Sequence, residues 1–369
     1  MKLVANIKLK PTQEQAVELR ATLERCNEAC TWLSEQGFAA KQTRQYDMQK
    51  LFYRDLRERF SLTAQVAIQC IKKVADAYKV GKPDTVRVFR KHAAQPYDDR
   101  ILSFKADDIV SIWVLSGRAK IAHVCGDHQR ELLKHRKGEA DLMFVRGKWY
   151  LACVCDFDDP KLLTPDGVLG VDFGIVNIAT DSLGNQHSGA ATEAYRARYA
   201  KRRATLQRVG TRAAKRRLRK MSGRQKRFHK HENHCISKSI VSTAERSGLG
   251  LALEDLTHIR ARAKASKEQR KRLHNWSFGQ LRAFVEYKAK RAGIPCTTVD
   301  PRYTSQECGE CGYIDKRNRK SQSEFRCRAC GHSSNADLNA AGNIAGRVAA
   351  NRPMFAHQCV PGAVESPRL

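Results

Sequence analysis

Four cysteines in two pairs, Cys308-x-x-Cys311 and Cys327-x-x-Cys330, with fifteen residues between the pairs, limit this chain more than any other stretch. Each C-x-x-C turn can present two thiolates to one ion, and two such turns close a tetrahedron. The spacing predicts one structural Zn²⁺ held by all four thiolates, with Gly312 and Gly331 following each pair as in two zinc knuckles. Four sulfurs leave no open position for water, so this metal is expected to hold a fold and not to attack a bond. His332 is not needed as a ligand. Lys316, Arg317, Arg319, Lys320, Arg326 and Arg328 surround the cysteines and suit the segment to touch nucleic acid.

A chain of 369 residues with 41% hydrophobic content has material for two or three domains with buried cores. A formal net charge of +30 and a pI near 9.9 would be self-repulsive without a polyanion, so nucleic acid is the first partner to expect. No apolar run approaches a membrane span, and Met1-Lys2-Leu3-Val4 leads into alternation, so a cytoplasmic protein without a membrane partner is expected. Thirteen cysteines are an odd number for a disulfide framework, which favours reduced thiols and metal ligation.

Residues 1–10 alternate apolar and polar side chains and predict a strand that Pro11 ends. Thr12 is placed to cap a helix through Gln36, with Leu19, Leu23, Cys26, Cys30 and Leu33 on one face and Gly37 as its stop. Cys26 and Cys30 read as core thiols, because no second ligand pair lies near them. Helical spacing returns over 45–60 and 63–80. Short period-two runs between 96 and 157 then predict a small barrel or sheet that the first strand could complete, with Cys153 and Cys155 as packing residues. Residues 160–165 read as a linker.

The stretch 166–185, DGVLGVDFGIVNIATDSLGN, holds two apolar runs and a turn composition, and it predicts a hairpin. Asp172 inside such a run is costly to bury unless it is paired or holds a cation. Gly170 and Gly174 flank it and are expected to leave room for a ligand. Residues 193–247 predict a pair of helices broken at Ser222-Gly223, and between Arg196 and His231 they carry sixteen Lys and Arg and no acid. A solvated helix face normally mixes signs, so this one is expected to contact phosphates. The candidate contacts are Arg202, Arg203, Arg212, Lys215, Arg216, Arg217, Arg219, Lys220, Arg224, Lys226 and Arg227. The HKHENHC cluster at 229–235 is crowded by cations and reads against zinc. Residues 248–255 predict a strand ending in Glu254, 260–272 a basic mobile loop, 275–293 a helix, and 294–300 a strand. After the cysteines a helix begins with Asp337 in its first turn, and the tail beyond Asn351 is expected to fray.

Strand, hairpin strand, third strand, helix, strand ending in Glu254, helix, strand, insertion and a helix bearing Asp337 is the element order of a ribonuclease-H-like fold. In that order Asp172 and Glu254 lie on paired strands and Asp337 arrives from the closing helix. Three such carboxylates would repel one another and take up protons unless divalent cations neutralise them. Two Mg²⁺ ions about 4 Å apart would clamp a scissile phosphate, which predicts phosphodiester hydrolysis with Asp172, Glu254 and Asp337 as the catalytic acids. Asp255 should face the opposite side, and Asp181 and Asp300 read as ordinary strand-end residues.

The segments GVDFGIVNIAT, LALEDLTHIR, VDPRYTSQECGECGY and FRCRACGHSSNADLNAAGNIA resemble motifs of the TnpB family, the transposon-encoded RNA-guided nucleases related to compact type V CRISPR effectors. LKPTQEQAVELRATLERCNEAC resembles the family's opening, and HNWSFGQLRAFVEYKAKRAGI its penultimate helix. The likeness covers most of the chain and is most specific from Gly167 to Ala345. It implies an α/β multidomain protein whose RuvC-type nuclease core occupies 166–303 and 334–369, with the three acids on Asp172, Glu254 and Asp337. A zinc ribbon at 304–333 would be inserted into that core. A β-barrel wedge domain would comprise 1–10 and 98–165 and hold guide RNA, with a helical recognition domain at 11–97. The partners implied are an RNA from the transposon end and double-stranded target DNA with a short adjacent motif, with a protein monomer on each RNA; sequence readout passes to base pairing. Family members that have lost an acid only bind; all three acids are present here, so cleavage is the expectation. The competing readings are a nuclease-inactive RNA-guided regulator and a transposase that joins DNA ends with the same acids.

Overall fold

The computed structural model describes residues 1–80, 84–256 and 278–349. The chain divides into two compact units, Met1–Asp158 and Asp159–Leu369.

In the first unit, β1 (Lys2–Lys10) precedes three helices, α1 (Gln13–Ala39), α2 (Gln45–Phe60) and α3 (Ala64–Lys79). The strands β2 (Gln95–Tyr97), β3 (Leu102–Lys105), β4 (Ile109–Val114) and β5 (Gly117–Val124) come next. A short helix α4 (Asp127–Leu133) and the strands β6 (Arg136–Val145) and β7 (Lys148–Asp156) complete the unit. All pairings are antiparallel, in the order β2-β6-β7-β1-β5-β4-β3, so the first strand sits in the middle of the sheet that later strands build. The sheet curls towards closure: Tyr97 Oη on one edge donates to the Trp113 carbonyl of β4 at 3.2 Å. Alternation along β1 sends Ala5, Ile7 and Leu9 inward, where they share one core with the apolar faces of α1, α2 and α3. Cys26, Cys30 and Cys70 belong to that core, and burial pushes the Cys30 thiol well up.

Two expectations are corrected here. Gly37 does not stop α1, which runs to Ala39; a Cβ at Gly37 would lie 2.9 Å from the Gln42 carbonyl oxygen, so the glycine makes room for the returning chain. The helix α4 interrupts the predicted run of strands, with Gly126 as its N-cap.

The second unit opens with β8 (Gly167–Asp172), β9 (Asn177–Asp181) and β10 (Gln186–Ser188). The helices α5 (Ala190–Val209), α6 (Arg212–Met221) and α7 (Arg224–Arg246) lead to β11 (Leu249–Glu254). Then come α8 (Phe278–Arg291), β12 (Cys296–Val299), the ribbon strands β13 (Glu324–Arg326) and β14 (Ser333–Asn335), and α9 (Ala336–Ala349). Five strands form a sheet in the order β10-β9-β8-β11-β12, with β11 parallel to both its neighbours. The basic segment is three helices and not the expected pair: besides the break at Ser222-Gly223, α5 ends at Gly210, whose φ is +65°, and Thr211 caps α6 through the Ala214 N–H at 3.2 Å. The expected loop at 260–272 and the tail beyond Asn351 lie outside the described residues. Among the described residues no helix is long and apolar enough to cross a membrane.

Candidate active site

Alternation along two paired strands decides where the acids emerge. β8 and β11 run in parallel with Gly170 opposite Ala252 and Val171 opposite Leu253. Leu169, Val171, Leu251 and Leu253 enter the core formed with α7 and α8, whereas Val168 and Ala252 pack with Ile344 and Val348 of α9. Residues two apart in a strand share a face, so Asp172 and Glu254 project on the α9 side. There α9 begins, with Asp337 in its first turn and Asn335 Oδ1 accepting from the backbone N–H groups of Asp337 and Leu338 at 3.0 and 3.1 Å. The close approach of α9 depends on Gly170, where a Cβ would lie 2.1 Å from the Ala341 carbonyl oxygen. The expectation that Gly170 and Gly174 leave room for a ligand is therefore corrected. Helix backbone fills the first space, and the Asn177 carbonyl oxygen stands 2.6 Å from a Cβ at the second.

Glu254 is 6% and Asp337 4% exposed, and Asp172 is half-buried. Thr304 Oγ1 donates to Glu254 Oε1 at 2.5 Å. Asp337 is held at both oxygens, by Arg319 Nη2 at 2.9 Å and by Asn177 Nδ2 at 3.0 Å. Burial, then the charges of Glu254 and Asp337, push Asp172 up to about 8 against the opposing pull of Arg319. Burial also raises Glu254, while Thr304, Arg347 and Arg319 draw it down. Hard oxygen donors that repel one another are a donor set suited to Mg²⁺. The three carboxylates are coupled by charge but are not drawn as tightly as the cysteines, the one group among the described residues with all ligand atoms within 4.8 Å of one another.

The other acids have local partners. Asp255 pairs with Arg282 at 2.6 Å, Asp300 with Arg302, and Asp181 Oδ1 accepts from the N–H groups of Leu183 and Asn185 to close the turn before β10. Asn177, Thr304 and Arg319 escape a reading of the sequence. Arg319 carries the only signal, as one of the ribbon cations expected to touch nucleic acid, and the structure turns it inward onto Asp337.

The four cysteines sit in two matching turns. The Cys308 N–H donates to the Tyr313 carbonyl and the Cys327 N–H to the His332 carbonyl, at 3.0 and 2.8 Å. Gly312 and Gly331, with φ of +72° and +76°, turn the chain at corresponding places. The sulfurs of Cys308 and Cys330 are 3.7 Å apart, and those of Cys311 and Cys327 3.6 Å. Sulfurs tetrahedral about one zinc at about 2.3 Å stand about 3.8 Å apart, so the set fits one Zn²⁺. Within the cluster the backbone N–H of Cys330 heads the influences that bring the Cys327 thiol down to about 6, while Cys308, Cys311 and Cys330 are raised, so one thiol of the four carries the charge when no metal is bound. Asn318, fully buried, ties the two turns together: its Nδ2 donates to the Gln306 and Tyr313 carbonyls, and its Oδ1 accepts from the Arg328 N–H. Asn339, Asn343 and Arg347 recur every four residues along α9 and grip the backbone of Asp300, Thr304 and Glu307. The helix that bears Asp337 thus also fixes the segment that sends Thr304 to Glu254.

All eleven candidate phosphate contacts on α5, α6 and the start of α7 are exposed. Only Thr192 of α5 and Ala214 and Met221 of α6 are buried, so these helices bring little to the core.

Residues 152–260 match the family model described as a probable transposase, OrfB_IS605, and residues 278–344 match the Cas12f1-like TNB domain. A CRISPR-associated endodeoxyribonuclease Cas12f1 of Sulfoacidibacillus thermotolerans is 36% identical over 222 residues, 54% of this chain and 50% of the relative. The putative RNA-guided DNA endonuclease InsQ of Escherichia coli K12 is 29% identical over 54% of this chain and 53% of its own length. A TnpB-like protein of Methanocaldococcus jannaschii is 38% identical over 34% of this chain and 45% of its own. The chain spans about half the length of these curated relatives. A solved Cas12f1–sgRNA–target DNA complex shares the fold, with a TM-score of 0.61 over 90% of this chain and 83% of that one at 14% identity. Two segments of the chain are thus similar to known families, one to the OrfB_IS605 proteins and one, which contains the four cysteines, to the Cas12f1-like TNB domain.

Proposed function

We propose that this protein is a transposon-encoded, RNA-guided DNA endonuclease that hydrolyses target DNA beside a short adjacent motif. The observation that carries the reading is the placement of Asp172, Glu254 and Asp337 where the paired ends of β8 and β11 meet the first turn of α9. In this reading 166–303 and 334–369 form a RuvC-like nuclease and 304–333 a zinc ribbon that binds target nucleic acid. Residues 1–10 and 98–165 form the wedge and 11–97 the recognition domain. The three acids would hold two Mg²⁺ ions, which when bound supply Lewis-acid stabilisation of the phosphate and an activated water. The four cysteines would hold one Zn²⁺. The chain's own residues set the carboxylates beforehand: Thr304 fixes one oxygen of Glu254, and Asn177 and Arg319 take one oxygen each of Asp337. Lone pairs left over are then directed away from these donors.

Guide RNA and double-stranded DNA as partners are supported by the relatives' names, by the sgRNA and target DNA in the solved neighbour, and by the net charge of +30. A prokaryotic cytoplasmic location and a monomer on one RNA belong to the same reading. The decisive assay is cleavage of a matched target with the cognate RNA and Mg²⁺. Asp172→Ala is expected to abolish the cut product while target binding persists, and undiminished cutting by that variant would remove the assignment. Binding without product by the natural protein would instead mark a regulator, and strand-transfer products formed without RNA would mark a transposase.

A further inference from the structure

A cavity of about 430 Å³ opens between α5, α6 and the start of α7, away from the acids and the cysteines. Tyr195, Tyr199, Leu206 and Met221 supply its apolar lining, Arg202 and Arg217 are among its cations, and among the described residues no carboxylate lines it. Its aromatic side is ordered. Tyr195 and Tyr199 stand one turn apart on α5 with rings 18° from parallel, and Tyr195 stacks on Phe228 with centroids 4.2 Å apart. Tyr199 Oη donates to the Met221 carbonyl at 2.8 Å, which fixes that ring against the end of α6. Both tyrosines remain half-buried. A packing gap between two helices calls for neither parallel rings nor guanidinium groups. Two helices of like charge with so little buried surface gain instead from an anion held between them.

Flat aromatic faces beside guanidinium groups match the chemistry of one unstacked nucleotide, with π-surface for the base and cations for the phosphate. The volume falls within the range of small-ligand pockets. We infer that this cavity takes a single unpaired nucleotide of a bound nucleic-acid strand, with the base against Tyr195 and Tyr199 and the phosphate on Arg202 and Arg217. The inference rests on reading α5–α7 as a nucleic-acid surface and adds to it the form of ligand that one part of the surface selects.

The test compares full-length protein on fully paired duplexes and on the same duplexes with one bulged nucleotide, as RNA and as DNA, with a photoreactive thiouridine or thiothymidine at the bulge. The bulged duplex, in RNA, DNA or both, is expected to bind about tenfold more tightly, the size of one base–aromatic stack. The crosslink is expected on the peptide containing residues 195–206. Thr205→Trp, which fills the cavity from a residue that lines it, is expected to erase that preference and leave paired-duplex affinity unchanged. Equal affinity for bulged and paired duplexes, or crosslinks that map only outside α5 and α6, would overturn the pocket while leaving the basic surface in place. Failure to bind either duplex would overturn both. Crosslinking of the natural protein decides the matter even if Thr205→Trp does not fold.

Discussion

At the scale of single residues, the charge of Asp172 is the quantity most open to measurement. Its carboxyl is raised from an ordinary value of 3.8 to about 8 by burial and by its two acidic neighbours. A folded-state pKa above the unfolded one means that the native protein binds the proton more strongly across that interval. The stability contributed is complete below the lower value and lost as pH rises through the upper one. Protein without Mg²⁺ is therefore expected to lose stability from about pH 4 to about pH 8, and Asp172→Asn, which cannot ionise, is expected to flatten that slope in denaturant melts. Added Mg²⁺ should flatten it too, because an ion at the carboxylates replaces the proton. A slope that Asp172→Asn leaves intact would place the titration elsewhere. The cost of Asp172 in an apolar strand is legible from the sequence, but its neighbours are not. Asn177 lies 160 residues from Asp337 in the chain and Thr304 50 residues from Glu254, and no local pattern announces either contact.

At the scale of elements, the seating of α9 on β8 is the contact that assembles the site. Gly170→Val would drive a side chain into the Ala341 and Ala345 backbone, which cannot yield without moving the helix. The expected cost is roughly 3 kcal/mol, read as a lower melting point together with weaker Mg²⁺ binding. Unchanged stability in the Gly170→Val variant would show that α9 lies farther off. Asn318→Ala tests the cysteine turns, since it removes a fully buried side chain together with its hydrogen bonds to two carbonyls and an N–H, and it is expected to cost about 1–3 kcal/mol in thermal unfolding. Element by element, β1 follows from alternation ended by Pro11, β8 and β11 from short apolar runs, and the break at Ser222-Gly223 from its glycine. Two features are obscured for local reasons: α4 is too short for helical periodicity to show, and Gly37 is a stop signal that tertiary contact turned into a packing space.

At the scale of the whole molecule, the net charge of +30 dictates the behaviour of any complex. Affinity for nucleic acid is expected to fall steeply as salt is raised, and replacing Arg216, Arg217, Arg219 and Lys220 by glutamine should lower the slope of log affinity against log salt by about 3 to 4. An unchanged slope would take those side chains off the phosphate surface. Metal analysis is expected to return one zinc per chain and to lose it in Cys327→Ser, because a tetrahedral site lacking one thiolate binds far more weakly. The sequence by itself determined what composition and short spacing can carry: a net charge that calls for a polyanion, the pairing of C-x-x-C turns, and three acids ordered along strands and a closing helix. Only the tertiary structure decided that Arg319 of the cysteine module faces Asp337 and not solvent, that Thr304 serves Glu254, and that Gly170 yields its space to a helix. Each of these joins residues distant in the chain, and such contacts exist only once β8, β11 and α9 have packed and set which way every side chain between them must point.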